Sequence, residues 1–167
     1  FTKSMYIQEK IVAKGLYKKF RNFERFFYNK TVIDAPRVLK REVFIGIGGF
    51  DTNIDFGADD WDISKKVKHK NIKSILSKNF VYHNEINLNF IKVLKKKINY
   101  SNNFDRYITK WGKEDSDIKK QFGIWYRFFG IFFENKKKFS FLIKNLNLYF
   151  IFLLNKFLVG LFFIFRN

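Results

Sequence analysis

Seven acidic residues fall within a 32-residue window of a chain that is otherwise strongly basic. Between Thr31 and Asp62 the acids outnumber the bases by seven to three, while the whole 167-residue chain carries a net charge of +18. The same window contains Pro36, the only proline, and four of the nine glycines. Turn-forming residues combined with clustered acids restrict this segment to short elements joined by loops. We therefore expect the chemistry of this protein to lie in this acidic segment.

The basic background outside this window has two interpretations. Lysine, with 26 residues against seven arginines, dominates the 33 basic residues. A nucleic acid or an anionic membrane would attract such a surface. Coding from an A/T-rich genome would equally enrich Lys, Asn, Ile and Phe without any binding role. Because the bases are spread along the chain with no recognised nucleic-acid motif, we expect no nucleic-acid partner. A nucleic-acid-binding protein and a basic membrane-surface protein without catalysis stay the alternative functions.

The remaining composition limits the protein class. The absence of cysteine excludes a disulfide scaffold, a zinc–thiolate site and a cysteine nucleophile. A hydrophobic content of 47%, with 21% aromatic residues, excludes a purely disordered chain. The length is enough for one domain with a buried core.

Hydrophobic spacing predicts a mixed α/β chain that becomes helical towards its end. Apolar residues from Ile7 to Phe27 recur at steps of three and four, which predicts an amphipathic helix over 7–29. The segment 72–82 is typical of one strand or two short ones. The other predicted helices span 41–47, 59–70, 86–100, 103–111, 115–133 and 139–165.

Three carboxylates lie within four residues at Asp59, Asp60 and Asp62. Such a cluster repels itself unless a cation or a proton-transfer role compensates, which makes it a candidate site. The alternative is a solvated helix N-terminus, where acids favour the helix dipole. Asp62 and Lys66 have the i,i+4 spacing of a helical ion pair.

His83 follows the predicted strand and precedes Glu85 by two positions. A histidine at a strand end can meet a carboxylate cluster across a cleft and complete a metal site. It can equally be an isolated surface histidine.

Four segments in order resemble the second half of a family 2 glycosyltransferase with the GT-A fold. They are Val32-Ile-Asp-Ala-Pro-Arg-Val-Leu-Lys-Arg-Glu-Val-Phe44, Ile47-Gly-Gly-Phe-Asp51, Gly57-Ala-Asp-Asp-Trp-Asp-Ile63 and Tyr82-His-Asn-Glu85. The earlier segments Tyr6–Gly15 and Arg21–Arg25 fit the same family, so the resemblance covers about residues 5–135. These enzymes transfer a sugar from a nucleotide-sugar donor to an acceptor hydroxyl group.

The resemblance implies roles for individual residues. Asp60 matches the family's general base, which takes the proton of the acceptor hydroxyl, and Asp59 is the other catalytic acid. His83 matches a ligand of the divalent metal, Mg or Mn, that many members use as a cofactor. Two positions depart from the family pattern, since Asp59 replaces the usual Glu and Lys66 the usual Arg. Substrate binding is implied for Arg37, Trp61, Asp62 and Lys66.

The resemblance also implies the domain organisation. It predicts the C-terminal half of a Rossmann-like GT-A catalytic domain at 1–85, followed by a helical extension at 86–135. The family's N-terminal half, with its nucleotide-binding units, has no counterpart ahead of Tyr6. We therefore expect a fragment that is inactive by itself.

The segment 136–167 is predicted to be a basic and aromatic membrane-associated helix. Residues 148–165 are almost wholly apolar, approaching the roughly 20 residues that span a bilayer. Lys156 near their centre would be costly in hydrocarbon, by about 2.5–3.5 kcal/mol. Neighbouring lysines suit an anionic leaflet, so the alternatives are an in-plane helix, a span and a buried helix of the domain. Because the tail is predicted to face a membrane and the acceptor to be a glycan or lipid-linked, we expect the protein on the cytoplasmic face of a membrane, either peripheral or anchored by its C-terminal segment.

Overall fold

The structure, a computed structural model, describes residues 2–54, 57–101 and 104–164. It is a mixed α/β fold with a small sheet and many helices, as the sequence predicts. The strands are β1 (Ser4–Val12), β2 (Val38–Leu39) and β3 (Ser74–Asn84). The helices are α1 (Gly15–Tyr28), α2 (Arg41–Gly46), α3 (Asp59–His69), α4 (Phe90–Ser101), α5 (Phe104–Trp111), α6 (Ser116–Phe122), α7 (Ile124–Phe128), α8 (Lys136–Ile143) and α9 (Leu146–Ile164), with a 3-10 turn at Gly130–Phe132.

The sheet has the order β2-β1-β3, with β1 antiparallel to β2 and parallel to β3. The register between β1 and β3 shifts between Tyr6 and Gln8, after which Glu9 lies opposite Val81 and Ile11 opposite His83. Alternate residues of a strand share a face, so Glu9 and His83 lie on the same side of the sheet. This pairing brings the end of β3 beside the end of β1.

The prediction of one helix over 7–29 is wrong for its first part. Residues 4–12 form β1, and the helix begins only at Gly15, whose φ of 54° breaks the extended run. Ile7 and Ile11 are four residues apart, which places two residues on one face of a strand as well as of a helix. From Tyr17 onwards the helical prediction holds, because Phe20, Phe23 and Phe27 line the buried face of α1.

The prediction of single helices over 115–133 and 139–165 is also wrong. The first is divided into α6, α7 and the 3-10 turn, with divisions near Gly123 and Gly130. The second is divided into α8 and α9, while residues 165–167 lie outside the described part of the chain. Predicted helices at 41–47 and 59–70 and the strand near 72–82 are confirmed within one or two residues.

Three clusters of buried side chains form the core. The largest packs α1 against the 3-10 turn, α8 and α9, through residues such as Phe27, Phe132 and Phe152. A second joins α3 to α5 and α6 around Trp61 and Tyr107. A small third cluster contains Ile47, Ile63 and Val67. The first cluster crosses both predicted boundaries, at 85 and 135, and the second crosses the one at 85, although the domain boundaries themselves stay a prediction.

In the described residues, no single helix combines the length and apolar character needed to cross a bilayer. The helices α8 and α9 meet that criterion only together, as a pair bent by 100°.

Candidate functional site

Asp60 lies in the first turn of α3 with half of its side chain exposed. One of its carboxylate oxygens, Oδ2, is 3.6 Å from Nη1 of Arg37. The other end of the same guanidinium, Nη2, is 2.7 Å from Oε1 of Glu9 on β1. Arg37 therefore bridges the sheet and the start of α3, and its position is fixed because its backbone N–H donates to the Met5 carbonyl at 2.9 Å.

Glu9 is the centre of this cluster of charges. Its nearly buried carboxylate also lies 2.9 Å from Nε of Arg25 on α1, measured at Oε2. The Arg25 contact has the distance of an ion pair without the direction of a hydrogen bond. Nδ1 of His83 is 3.6 Å from the same oxygen. We call Glu9, Arg25, Arg37, Asp60 and His83 the Glu9 cluster.

The surroundings of Asp60 raise the pKa of its carboxyl group. Burial raises the pKa of its carboxyl group above the ordinary value, Arg37 opposes the increase, and Asp59 and Glu9 add to it. A carboxylate is a better proton acceptor when its pKa lies closer to the working pH. A half-exposed acid with this perturbation can accept a proton from a ligand that approaches the start of α3 from solvent.

Asp59 and Trp61 have local structural partners. Oδ1 of Asp59 accepts a hydrogen bond from the Gly57 N–H at 3.0 Å, which fixes the turn that leads into α3. Trp61 is buried, and its Nε1–H donates to the Ile33 carbonyl at 2.9 Å. Its ring stacks on Phe104 with centroids 5.3 Å apart. Both residues thus support the first turn that presents Asp60.

Asp62 and Lys66 form a separate buried cluster. The predicted i,i+4 pair is present, with Nζ of Lys66 3.0 Å from Oδ2 of Asp62. Lys110 lies 2.8 Å from the other oxygen, to which the Trp111 indole N–H also donates at 2.8 Å. Lys66 also donates to the Gly49 carbonyl at 2.7 Å. Asp60 and Asp62 are two residues apart on α3 and therefore point to nearly opposite sides of the helix. The contacts of Asp62, and the one from Lys66 to Gly49, thus lie on the side away from the Glu9 cluster.

The contacts around His83 bear on the predicted metal. Within the described part of the chain, no group of three or more His, Asp and Glu side chains is arranged to hold a metal ion. His83 is partly exposed, and its carboxylate neighbour Glu9 is already engaged by Arg25 and Arg37. The two side chains supply fewer ligands than a divalent ion uses in a protein site. A divalent metal stays a prediction, and we derive no chemical step through it.

A second charge cluster is buried beneath α1. The Glu24 carboxylate, which is inaccessible to solvent, forms ion pairs with Arg21, Lys97 and Lys156. Arg21 also contacts Glu85 through two hydrogen bonds, of 2.9 and 2.8 Å. We call Arg21, Glu24, Glu85, Lys97 and Lys156 the Glu24 cluster. It shows that Lys156, expected to face hydrocarbon in a spanning helix, is paired inside the protein.

Sequence reasoning missed Glu9 and Arg25 as members of the site. Both residues were assigned to one amphipathic helix, on which a glutamate and an arginine sixteen residues apart have no reason to meet. They become neighbours because the chain reverses between β1 and α1. No alternation of polar and apolar residues marks this strand, because Gln8, Glu9 and Lys10 are consecutive polar residues, so the sequence carried no clear signal for it.

Comparisons of this chain with protein-family models, with curated proteins and with solved structures found no match.

Proposed function

We propose that this chain is part of a glycosyltransferase that moves a sugar from a nucleotide-sugar to an acceptor hydroxyl group. The observation that carries the proposal is Asp60 itself, which is half exposed at the start of α3, lies 3.6 Å from Arg37 and has a pKa that burial raises. The order of the motifs that resemble family 2 enzymes agrees with this position. The parallel pair β1 and β3, joined through α1, α2 and α3, supports the finer proposal of a GT-A-like half domain.

In this proposal Asp60 acts as the general base. Its carboxylate accepts the proton of the acceptor hydroxyl while that oxygen forms a bond to the anomeric carbon of the donor sugar. The bond between this carbon and the diphosphate oxygen breaks, and the nucleoside diphosphate leaves with the bonding electrons. Arg37 is the positioning residue, since it holds Asp60 beside Glu9 through two ends of one guanidinium.

The test uses the protein produced from its complete reading frame. Release of nucleoside diphosphate is measured with a panel of nucleotide-sugars and hydroxyl acceptors, for the wild type and for Asp60→Asn. Loss of a general base lowers turnover by about 10²–10⁴-fold, and we expect a loss in that range. Glu114→Gln is the matched control and should keep full activity, because the highly exposed Glu114 carboxylate pairs only with Lys119 among the ion pairs of the described residues.

Two results would contradict the proposal. Full turnover by Asp60→Asn would remove Asp60 as the base. Absence of transfer by the folded wild type across the whole panel would remove the transferase assignment itself.

An apolar face of α9 supports contact with a membrane surface as a second proposal. Phe150, Leu154 and Phe157 are more than half exposed at helical spacing, while Phe152 and Lys156 face the protein. Exposed lysines precede α9 in the chain, at Lys136, Lys137 and Lys144. A helix that packs on the domain with one face and is apolar on the other suits an in-plane position on an anionic bilayer.

Flotation with vesicles tests this second proposal. We expect at least tenfold more protein on phosphatidylglycerol vesicles than on phosphatidylcholine vesicles, and loss of that binding in the double variant Phe150→Ser, Leu154→Ser. Ile45→Ser, at an exposed isoleucine on α2, is the control that should bind normally. Equal binding by the double variant and the wild type would contradict a role for this face.

A further inference from the structure

A cavity of about 430 Å³ is lined by residues of α1, α3, α4, α5, α6, α7 and α9 and is distinct from the Glu9 cluster. Its walls are mainly apolar and include Trp61, Phe104, Phe122, Phe128 and Val159. Small-molecule sites occupy about 300–1,000 Å³ and combine such walls with a few polar groups. The volume and the lining are therefore those of a ligand site.

Three cations lie in the walls of the same cavity. They are Lys97 on α4, Lys156 on α9 and Arg127 on α7. Nζ of Lys97 is 2.8 Å and Nζ of Lys156 is 3.3 Å from Oε1 of Glu24, while Nη1 of Arg127 donates to the Gln121 carbonyl at 3.1 Å. The cavity is thus apolar over most of its surface and positively charged in one part.

The charges around this part of the cavity do not balance. Among the described residues, the Glu24 cluster combines the carboxylates of Glu24 and Glu85 with three cations, and Arg127 adds a fourth. A buried excess of positive charge is costly unless an anion compensates it. Burial together with neighbouring Arg127 and Lys97 holds the pKa of Lys156 well below its usual range, despite the opposing effect of Glu24.

We propose that this cavity binds a single-chain amphiphile whose anionic head group, a phosphate or a carboxylate, contacts Lys97, Lys156 and Arg127. Its alkyl chain lies among Trp61, Phe104, Phe128 and Val159. The head group supplies the negative charge that the Glu24 cluster lacks, and the chain covers the apolar wall. This site is independent of the proposed sugar transfer, because neither Asp60 nor Glu9 lines the cavity.

Calorimetric titration of the folded chain with soluble probes tests the head group. The probes are dodecyl phosphate, dodecanoate, dodecyltrimethylammonium and inorganic phosphate, each below its aggregation concentration. We expect saturable binding of one dodecyl phosphate or dodecanoate per chain, at least tenfold tighter than binding of dodecyltrimethylammonium. Inorganic phosphate should bind more weakly than either anionic amphiphile. Tighter binding of dodecyl phosphate identifies a phospholipid-like head group, and tighter binding of dodecanoate identifies a fatty acid.

Gly160 provides a variant that fills the cavity. It lines the wall within α9, and a Cβ atom at this position meets no atom within 4 Å. Gly160→Phe removes a weak helix former and places a ring towards the cavity, so we expect normal folding and at least a tenfold loss of dodecyl phosphate affinity. Gly46→Phe is the matched control, because Gly46 ends α2 at an exposed position with the same open space.

A charge variant tests the same site without filling it. Arg127→Gln should weaken the binding of dodecyl phosphate by about tenfold, because a charge-assisted contact is lost. Lys113→Gln, at an exposed lysine, should leave the affinity unchanged. Equal affinity for the cationic and anionic probes would overturn the proposal. Unchanged dodecyl phosphate binding in folded Gly160→Phe would also overturn it.

Discussion

Two clusters of charge in this protein are each built on a buried or nearly buried glutamate, but they differ in whether a further carboxylate reaches solvent. In the Glu9 cluster a glutamate holds two arginines, and the neighbouring Asp60 keeps half of its side chain in solvent. In the Glu24 cluster a glutamate holds an arginine and two lysines, and its carboxylate is inaccessible to solvent. The difference in exposure separates a carboxylate that solvent reaches from one whose ion pairs join α1, α4 and α9.

The physical reason is the cost of removing charge from water. Ion pairs at an accessible surface contribute little, typically about 0–1 kcal/mol, and so they can exchange partners at small cost. A buried pair that loses one partner leaves an uncompensated charge in the interior. We therefore expect substitutions in the Glu24 cluster to change stability and substitutions in the Glu9 cluster to change activity.

Glu24→Gln should have the largest effect on stability. It removes the carboxylate that Arg21, Lys97 and Lys156 share, so three cations lose their common partner. We expect a loss of about 3 to 5 kcal/mol in the free energy of unfolding, measured by urea denaturation. Glu114→Gln, at a surface carboxylate, should change it by no more than about 0.5 kcal/mol. A loss below about 1 kcal/mol in Glu24→Gln would contradict the comparison.

Lys156→Met should lower the free energy of unfolding by at least about 2 kcal/mol less than Glu24→Gln does. Methionine keeps the unbranched shape of lysine, and Glu24 retains Lys97 and Arg21 as partners. The substitution also removes one charge from a cluster with an excess of cations. Urea denaturation of both variants measures the difference, and an equal loss in the two would show that Lys156 is needed as a charge.

The pH dependence of stability should follow the buried carboxylates. Burial opposes ionisation of Glu85, but the hydrogen bonds and the charge of Arg21 outweigh it and lower its pKa from 4.5 to about 2. A lowered pKa in the folded state contributes stability above the unfolded value, and this contribution is lost as the pH falls towards 2. The lowered pKa of Glu24, where Lys97, Lys156 and Arg21 outweigh burial, acts in the same direction.

Glu85→Gln measures this contribution directly. We expect it to be less stable than the wild type at pH 6, by about 2 kcal/mol, and the two proteins to converge as the pH falls from 4.5 to 2. Urea denaturation across this pH range gives both curves. Parallel curves at all pH values would show that the loss comes from packing rather than from ionisation.

Asp60→Asn should change the free energy of unfolding least, and it should raise it where the other variants lower it. The raised pKa of Asp60 means that the folded state holds its proton more tightly, so ionisation costs stability as the pH rises through the folded value. Removing the charge should therefore stabilise the chain slightly at pH 7, by about 0.5 kcal/mol or less, with no gain at pH 3. Thermal unfolding at both pH values checks this sign. Destabilisation by more than about 1 kcal/mol would give Asp60 a structural role.

The acidic segment 31–62 shows which structural features the local sequence pattern can predict. Acids at Asp59 and Asp60 predict the start of α3, and the i,i+4 spacing predicts the pair of Asp62 and Lys66. Both predictions are confirmed because they depend on neighbours within one helix turn. The spacing could not show that Asp62 turns towards Lys110 and Trp111 while Asp60 turns towards Arg37.

Residues near Ile7 illustrate where the same reasoning fails. A four-residue repeat of isoleucine is compatible with both a helix and a strand, and pairing with β3 decides in favour of the strand. At the end of the chain, an apolar segment with one lysine left a span, an in-plane helix and a buried helix open. Packing on α1 pairs that lysine with Glu24, which local pattern could not show.

The sequence by itself determined the mixed α/β class, the late helical region and the acidic segment that contains Asp60, because these follow from composition and from contacts within a few residues. Only the tertiary structure decided which charges meet. Glu9 reaches Arg25, Arg37 and His83, and Glu24 reaches Lys97 and Lys156, across separations that no periodicity encodes. Burial then distinguishes the two clusters, because the desolvated Glu24 requires its cations as partners, whereas Asp60 keeps half of its side chain in solvent.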